Sequence, residues 1–104
     1  MREEVRGRIA KVLKKYFPDA KIFLFGSRAR GDNLLDSDYD IIIVSDRFSG
    51  ISFPQRIRKV LRILYKNNID EEVEPLCYTF KEFEEKKKKI GILRTALKEA
   101  ILLT

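Results

Sequence analysis

Ile41-Ile42-Ile43-Val44 is the stretch that most limits the folds open to this chain. Successive side chains of a strand point to opposite faces, so four apolar residues in a row leave a strand no solvated side. Such a strand needs cover above and below, which places it at the centre of a sheet packed against helices. Tyr39 to Ser45 is therefore expected to be a central strand. Ala20-Lys21-Ile22-Phe23-Leu24-Phe25 is a second short apolar run bounded by turn signals, and it reads as another buried strand.

Helical patterns surround the two runs. Residues 3–17 place Val5, Ile9, Val12, Leu13, Tyr16 and Phe17 at helical spacing, and Pro18-Asp19 stops that helix. Residues 27–31 have room for one short helical turn, Gly31-Asp32-Asn33 reads as a loop, and so do residues 46–51. Ser52-Phe53-Pro54-Gln55 has the form of a capping box opening a helix with Ile57, Val60, Leu61, Leu64 and Tyr65 on one face, ended by Asn67-Asn68. Residues 72–78 read as a third strand, and Pro75, which has no N–H to give a ladder, argues for a sheet edge. Thr79-Phe80-Lys81-Glu82 is a second capping box, opening a helix to about Lys89. Gly91 breaks or bends it, and Leu93, Ala96, Leu97, Ala100 and Ile101 form the stripe of a last helix. A strand–helix–strand unit over 39–76 favours a parallel pair. The expected class is α/β, with a small sheet covered by helices.

At 104 residues, 44% hydrophobic and 37% charged, the chain suits one folded domain spanning 1–104 with a single modest core. No apolar run approaches the ~18 residues of a membrane span, and Met1-Arg2-Glu3-Glu4 lacks a signal-peptide core, so a cytoplasmic location is expected. Cys77 is the only cysteine, which excludes an internal disulfide and a cysteine zinc cage. A Lys- and Glu-rich composition without His or Trp hints at a thermophilic source. The net charge of +6 is unevenly spread. Residues 1–31 carry nine Lys/Arg against three acids, whereas residues 32–53 carry one against five. An acidic island in a basic protein suits a divalent cation flanked by a positive field that holds polyphosphate.

Two short motifs sit at the strand ends. Gly26-Ser27 follows the first strand, where the glycine lets the backbone turn and a phosphate approach closely. If residues 27–30 begin a helical turn, their amides and the Ser27 hydroxyl face any anion held there, with charge from Arg28 or Arg30. Asp38 and Asp40 lie two apart entering the central strand, so both point to one face and Tyr39 to the other. Two close carboxylates repel unless a hard cation such as Mg²⁺ lies between them. Alone, each motif is more economically a plain turn or a solvated strand entry. A calcium loop starting at Asp36 fails at Ile41, where glycine is needed, and at Arg47, where Glu is needed.

Taken together, Gly26-Ser27-x-Ala29-Arg30-Gly31 and Ser37-Asp38-x-Asp40 leading into an apolar strand resemble the nucleotidyltransferase superfamily that includes DNA polymerase β. The likeness is strongest to the minimal nucleotidyltransferases and covers nearly the whole chain. It implies a polymerase β palm-like fold: a mixed three-stranded sheet in order 1-2-3, flanked by helices. It implies that Gly26 and Ser27, with Arg28 or Arg30, hold the triphosphate of ATP or another nucleoside triphosphate. It further implies that Asp38 and Asp40 bind two Mg²⁺ ions with a third acid from the third strand. Alignment on Cys77-Tyr78-Thr79 puts Glu74 in that place, where the family usually has Asp, and Glu72 competes from the same strand face.

The resemblance implies transfer of AMP, or another nucleoside monophosphate, to an acceptor hydroxyl with release of pyrophosphate. Minimal members commonly accompany a helical HEPN-domain toxin, which implies a protein acceptor and an antitoxin role; a homodimer could also complete the site. An alternative is a catalytically weak module of the same fold that neutralises a HEPN partner by contact. Nucleic-acid binding through the net charge ranks last, because the basic residues lie on amphipathic helices with no aromatic-interleaved basic strand.

Overall fold

The computed structural model describes residues 2–25, 39–89 and 101–103. The elements run α1 (Arg2–Tyr16), β1 (Lys21–Phe25), β2 (Tyr39–Val44), a one-turn 3-10 helix (Asp46–Phe48), α2 (Phe53–Lys66), β3 (Val73–Tyr78), α3 (Phe80–Lys89) and β4 (Ile101–Leu102). The sheet order is β3-β2-β1-β4. β1 is antiparallel to β2 and to β4, whereas β2 and β3 are parallel. The expected mixed sheet in order 1-2-3 is present, extended by the two-residue β4.

The apolar run does what its sequence requires. Ile41, Ile42, Ile43 and Val44 are all fully buried, and β2 lies between β1 and β3. One face carries Ile22, Leu24, Tyr39, Ile41, Ile43, Val73 and Cys77 into a core shared with Ile9 and Leu13 of α1, Phe17 just after it, and Val60 and Leu64 of α2. The other carries Ile42, Val44 and Tyr78 against Phe80 and Phe83 of α3. β3 is the sheet edge, as Pro75 requires, since its missing N–H costs no ladder bond there.

Three expectations need correction. On α2 the buried residues are Arg56, Val60, Ile63 and Leu64, while Leu61 is 39% and Tyr65 78% exposed. The apolar face is therefore rotated toward Arg56 relative to the stripe read from the sequence. Ser52 is the N-cap of α2 but makes no side-chain cap bond, so that capping box is not formed. Ile101 is in β4 beside Leu24 rather than on the last helix; the remainder of that expected helix falls outside the described residues, as does the expected turn at 27–31.

The other capping box forms in full. The Glu82 amide donates to the Thr79 hydroxyl at 3.2 Å, and the Thr79 amide donates to Glu82 Oε1 at 2.9 Å. The exit of α2 is equally defined. Asn68 takes φ 64, the Asn68 amide donates to the Tyr65 carbonyl, and the Ile69 amide reaches the Leu64 carbonyl at 3.0 Å. That is a Schellman closure, with Ile69 folded back beside Leu64 in the core.

Candidate active site

Parallel pairing sets Asp40 of β2 directly opposite Glu74 of β3. Cross-strand partners project to the same face, here the one that carries Ile42 and Val44 further along β2 and Leu76 and Tyr78 along β3. Adjacent strands lie about 4.8 Å apart, so one small cation can reach oxygens of both carboxylates. Asp40 is half-buried and Glu74 exposed, so the pair sits where the sheet face emerges from beneath α3. On its other side Asp40 is opposite Phe25, the last residue of β1. β1 thus ends beside Asp40.

Glu72 precedes the first residue of β3, and its carbonyl accepts the Tyr39 amide at 2.8 Å. Tyr39 itself points into the α1/α2 core, 2% exposed, opposite in sense to Asp40 as the alternation requires. Gly26, Ser27, Arg28, Arg30 and Asp38 lie outside the described residues. Among the described residues there is no cluster of three or more His, Cys, Asp or Glu suited to a metal ion. The described acids supply a hard-oxygen pair, Asp40 and Glu74, which fits a hard divalent cation better than a softer ion.

The opposite end of the sheet is clamped by two polar networks. Ser45, fully buried after β2, donates its hydroxyl to Asp19 Oδ1 at 2.6 Å and accepts the Arg47 amide at 3.1 Å. The Asp46 amide donates to Asp19 Oδ2, and Asp46 Oδ1 accepts the Phe80 amide at the start of α3. Burial pushes the Asp19 carboxyl up, but the Ser45 hydroxyl and Asp46 amide outweigh it and hold the group below its ordinary range. Arg56, 5% exposed, donates from Nε to the Ile51 carbonyl, from Nη1 to the Cys77 carbonyl, and from both Nη atoms to Glu82. Its guanidinium also lies over the rings of Phe48 and Phe53. Both networks fix where β2 and β3 end, and so hold the register that sets Asp40 against Glu74.

These networks were not anticipated from the sequence. The signal for Arg56 was available: it stands four residues before Val60 and eight before Leu64, on the stripe itself. Cys77 is fully buried and its thiol is pushed up to about 12 by desolvation, only partly opposed by Arg56, which removes it from any nucleophilic role.

The sequence matches the family described as "Nucleotidyltransferase domain" over residues 6–103. The chain belongs to that family. Among solved structures, this nucleotidyltransferase domain is similar to a Sulfolobus solfataricus protein described as a candidate nucleotidyltransferase. The two are 25% identical with a TM-score of 0.63, covering 95% of this chain and 76% of that one. A second structure described as a candidate nucleotidyltransferase is 33% identical over 78% of this chain and 85% of its own, with a TM-score of 0.53. A structure described as a toxin-antitoxin with AMP-PNP shares the fold, with a TM-score of 0.66 at 19% identity, covering 95% of this chain and 72% of that chain. A search of curated proteins gives no significant match. Among the described residues no helix is long and apolar enough to cross a membrane.

Proposed function

We propose that this domain transfers AMP, or another nucleoside monophosphate, from a nucleoside triphosphate to a hydroxyl on a protein acceptor, with Mg²⁺ as the divalent cation. The observation that carries the reading is the direct register of Asp40 and Glu74, beside the end of β1, in a chain of the nucleotidyltransferase family. Asp38, Asp40 and Glu74 are the metal-holding carboxylates in this reading, and Glu74 is favoured over Glu72 because it is the one level with Asp40.

A divalent cation held by Asp38, Asp40 and Glu74 would supply Lewis-acid chemistry there, neutralising phosphoryl charge. The chain's own groups do the rest. Gly26, Ser27, Arg28 and Arg30 steady the triphosphate, because charge grows on the departing β- and γ-phosphates. Glu74 accepts the proton of the attacking hydroxyl in this reading. The new bond joins the acceptor oxygen to the α-phosphorus, the bond to the bridging oxygen breaks, and pyrophosphate leaves. A HEPN-domain toxin is the proposed acceptor and the domain its antitoxin; the shared fold with the toxin-antitoxin structure supports this assignment.

Incubation with Mg²⁺ and α-labelled ATP, with and without candidate HEPN proteins encoded in the same genome, tests the proposal. Label should pass to the HEPN protein, and Asp40→Asn should abolish transfer without loss of fold. Stoichiometric binding with no label transfer, unchanged in Asp40→Asn, would replace the enzyme by a module acting through contact alone.

A further inference from the structure

The rotated face of α2 leaves a feature that the transferase chemistry does not itself require. Leu61 and Tyr65 stand exposed, and with Leu64, Ile69 and Val73 they floor a cleft of about 660 Å³ along the edge strand β3. The Schellman closure at Asn68 builds it, because the chain is turned back so that residues 70–74 run beside the end of α2. Its rim carries Asp70, Glu71, Glu72 and Glu74, and Arg62 is the only cation among the described lining residues. In a protein of net charge +6 this is a local reversal of sign.

We infer that this cleft seats the acceptor, and that the acceptor segment is a polypeptide bearing both basic and apolar side chains. The inference rests on the transferase reading for the word acceptor, and on three structural facts for the occupant. Glu74, the proposed recipient of the attacking hydroxyl's proton, is among the residues that line the cleft. The sheet order β3-β2-β1 puts the cleft and the end of β1 on opposite sides of Asp40, so a chain seated there lies on the side of Asp40 away from β1. The floor offers apolar contact for Leu- or aromatic-sized groups, while the carboxylate rim attracts ammonium or guanidinium groups and repels phosphates. A nucleic acid would therefore be disfavoured as occupant.

Fluorescence anisotropy at 0.15 M salt tests this with three labelled probes: a ten-residue peptide of Lys, Leu and Tyr, the same peptide with Glu for Lys, and a single-stranded RNA oligonucleotide. The basic-apolar peptide should bind best. Tyr65→Ser and Glu71→Lys should each weaken it about tenfold, as loss of an interface anchor or reversal of a rim charge does. Both positions are exposed, so a thermal melt should be unchanged. Glu85→Lys, an equal charge change on the exposed surface of α3, should leave peptide binding within about twofold. Equal binding by wild type and both cleft variants overturns the inference, as does preference for the acidic peptide or the RNA. Binding of a fluorescent ATP analogue with Mg²⁺ is read in parallel. Its absence in wild type would count against the transferase reading alone, whereas intact nucleotide binding with no peptide preference would count against the cleft alone.

Discussion

Arg56, buried to 5% exposure on α2, holds both carboxylate oxygens of Glu82 on α3, at 2.5 Å and 3.0 Å. Glu82 simultaneously accepts the Thr79 amide that starts α3. One carboxylate therefore caps a helix and neutralises a core cation.

Glu82→Gln should destabilise the protein more than an ordinary surface change. Removing one partner of a fully buried pair costs roughly 3–5 kcal/mol. The Glu82 side chain is 42% exposed, so water takes over part of its role. A loss of about 2 kcal/mol is expected, read as a lower urea midpoint at constant m-value. Arg56→Met combined with Glu82→Gln should recover much of that loss, because no charge is then left buried.

The same pair sets an acid limit. The Arg56 hydrogen bonds, and then the Thr79 amide, overcome burial and hold Glu82 at about 2, below its ordinary 4.5. A depressed carboxyl contributes stability that is complete above about pH 4.5 and lost as pH falls toward about 2. With solvent reaching the carboxylate, the contribution is about 1–2 kcal/mol. Asp19, also held low, adds in the same direction. Thermal melts from pH 6 to pH 2 should show the midpoint of wild type falling across that window. Glu82→Gln should show a shallower fall; an identical slope would place the acid sensitivity elsewhere.

Cys77 should be silent toward thiol reagents in the native state. Full burial and a thiol pushed up to about 12 leave almost no thiolate at pH 8. Labelling with a disulfide reagent should proceed only through unfolding, with a rate that tracks added urea. Rapid native labelling would contradict the burial.

Much of the fold was legible because a few residues carry unambiguous constraints. Four consecutive buried side chains, Ile41 to Val44, allow only a strand covered on both faces, and Pro75 allows only an edge. Thr79 and Glu82 stand at the spacing of a capping box and form one. The face of α2 was misread for a physical reason. A guanidinium counts as polar in any periodicity, yet Arg56 is buried because Glu82, two carbonyls and two aromatic rings satisfy it from distant parts of the chain. Tyr65 counts as apolar, yet is left outside by the same rotation. Ile101 continued a helical stripe so well that a two-residue strand could not be told from it.

The candidate pair Asp40 and Glu74 was legible in part. Asp40 announces itself at the start of its strand, whereas Glu74 becomes its neighbour only through the parallel crossover of α2, which sequence spacing does not encode. The register adds a second reason, independent of the alignment on Cys77-Tyr78-Thr79, to prefer Glu74 over Glu72.

Mn²⁺ binding in the presence of α,β-methylene ATP, followed by electron paramagnetic resonance, tests the Asp40–Glu74 site most directly. The account predicts saturable binding in wild type, weakened by about tenfold or more in Glu74→Gln and Asp40→Asn, with Glu72→Gln close to wild type. Wild-type affinity in Glu74→Gln, with the loss appearing in Glu72→Gln instead, would contradict it.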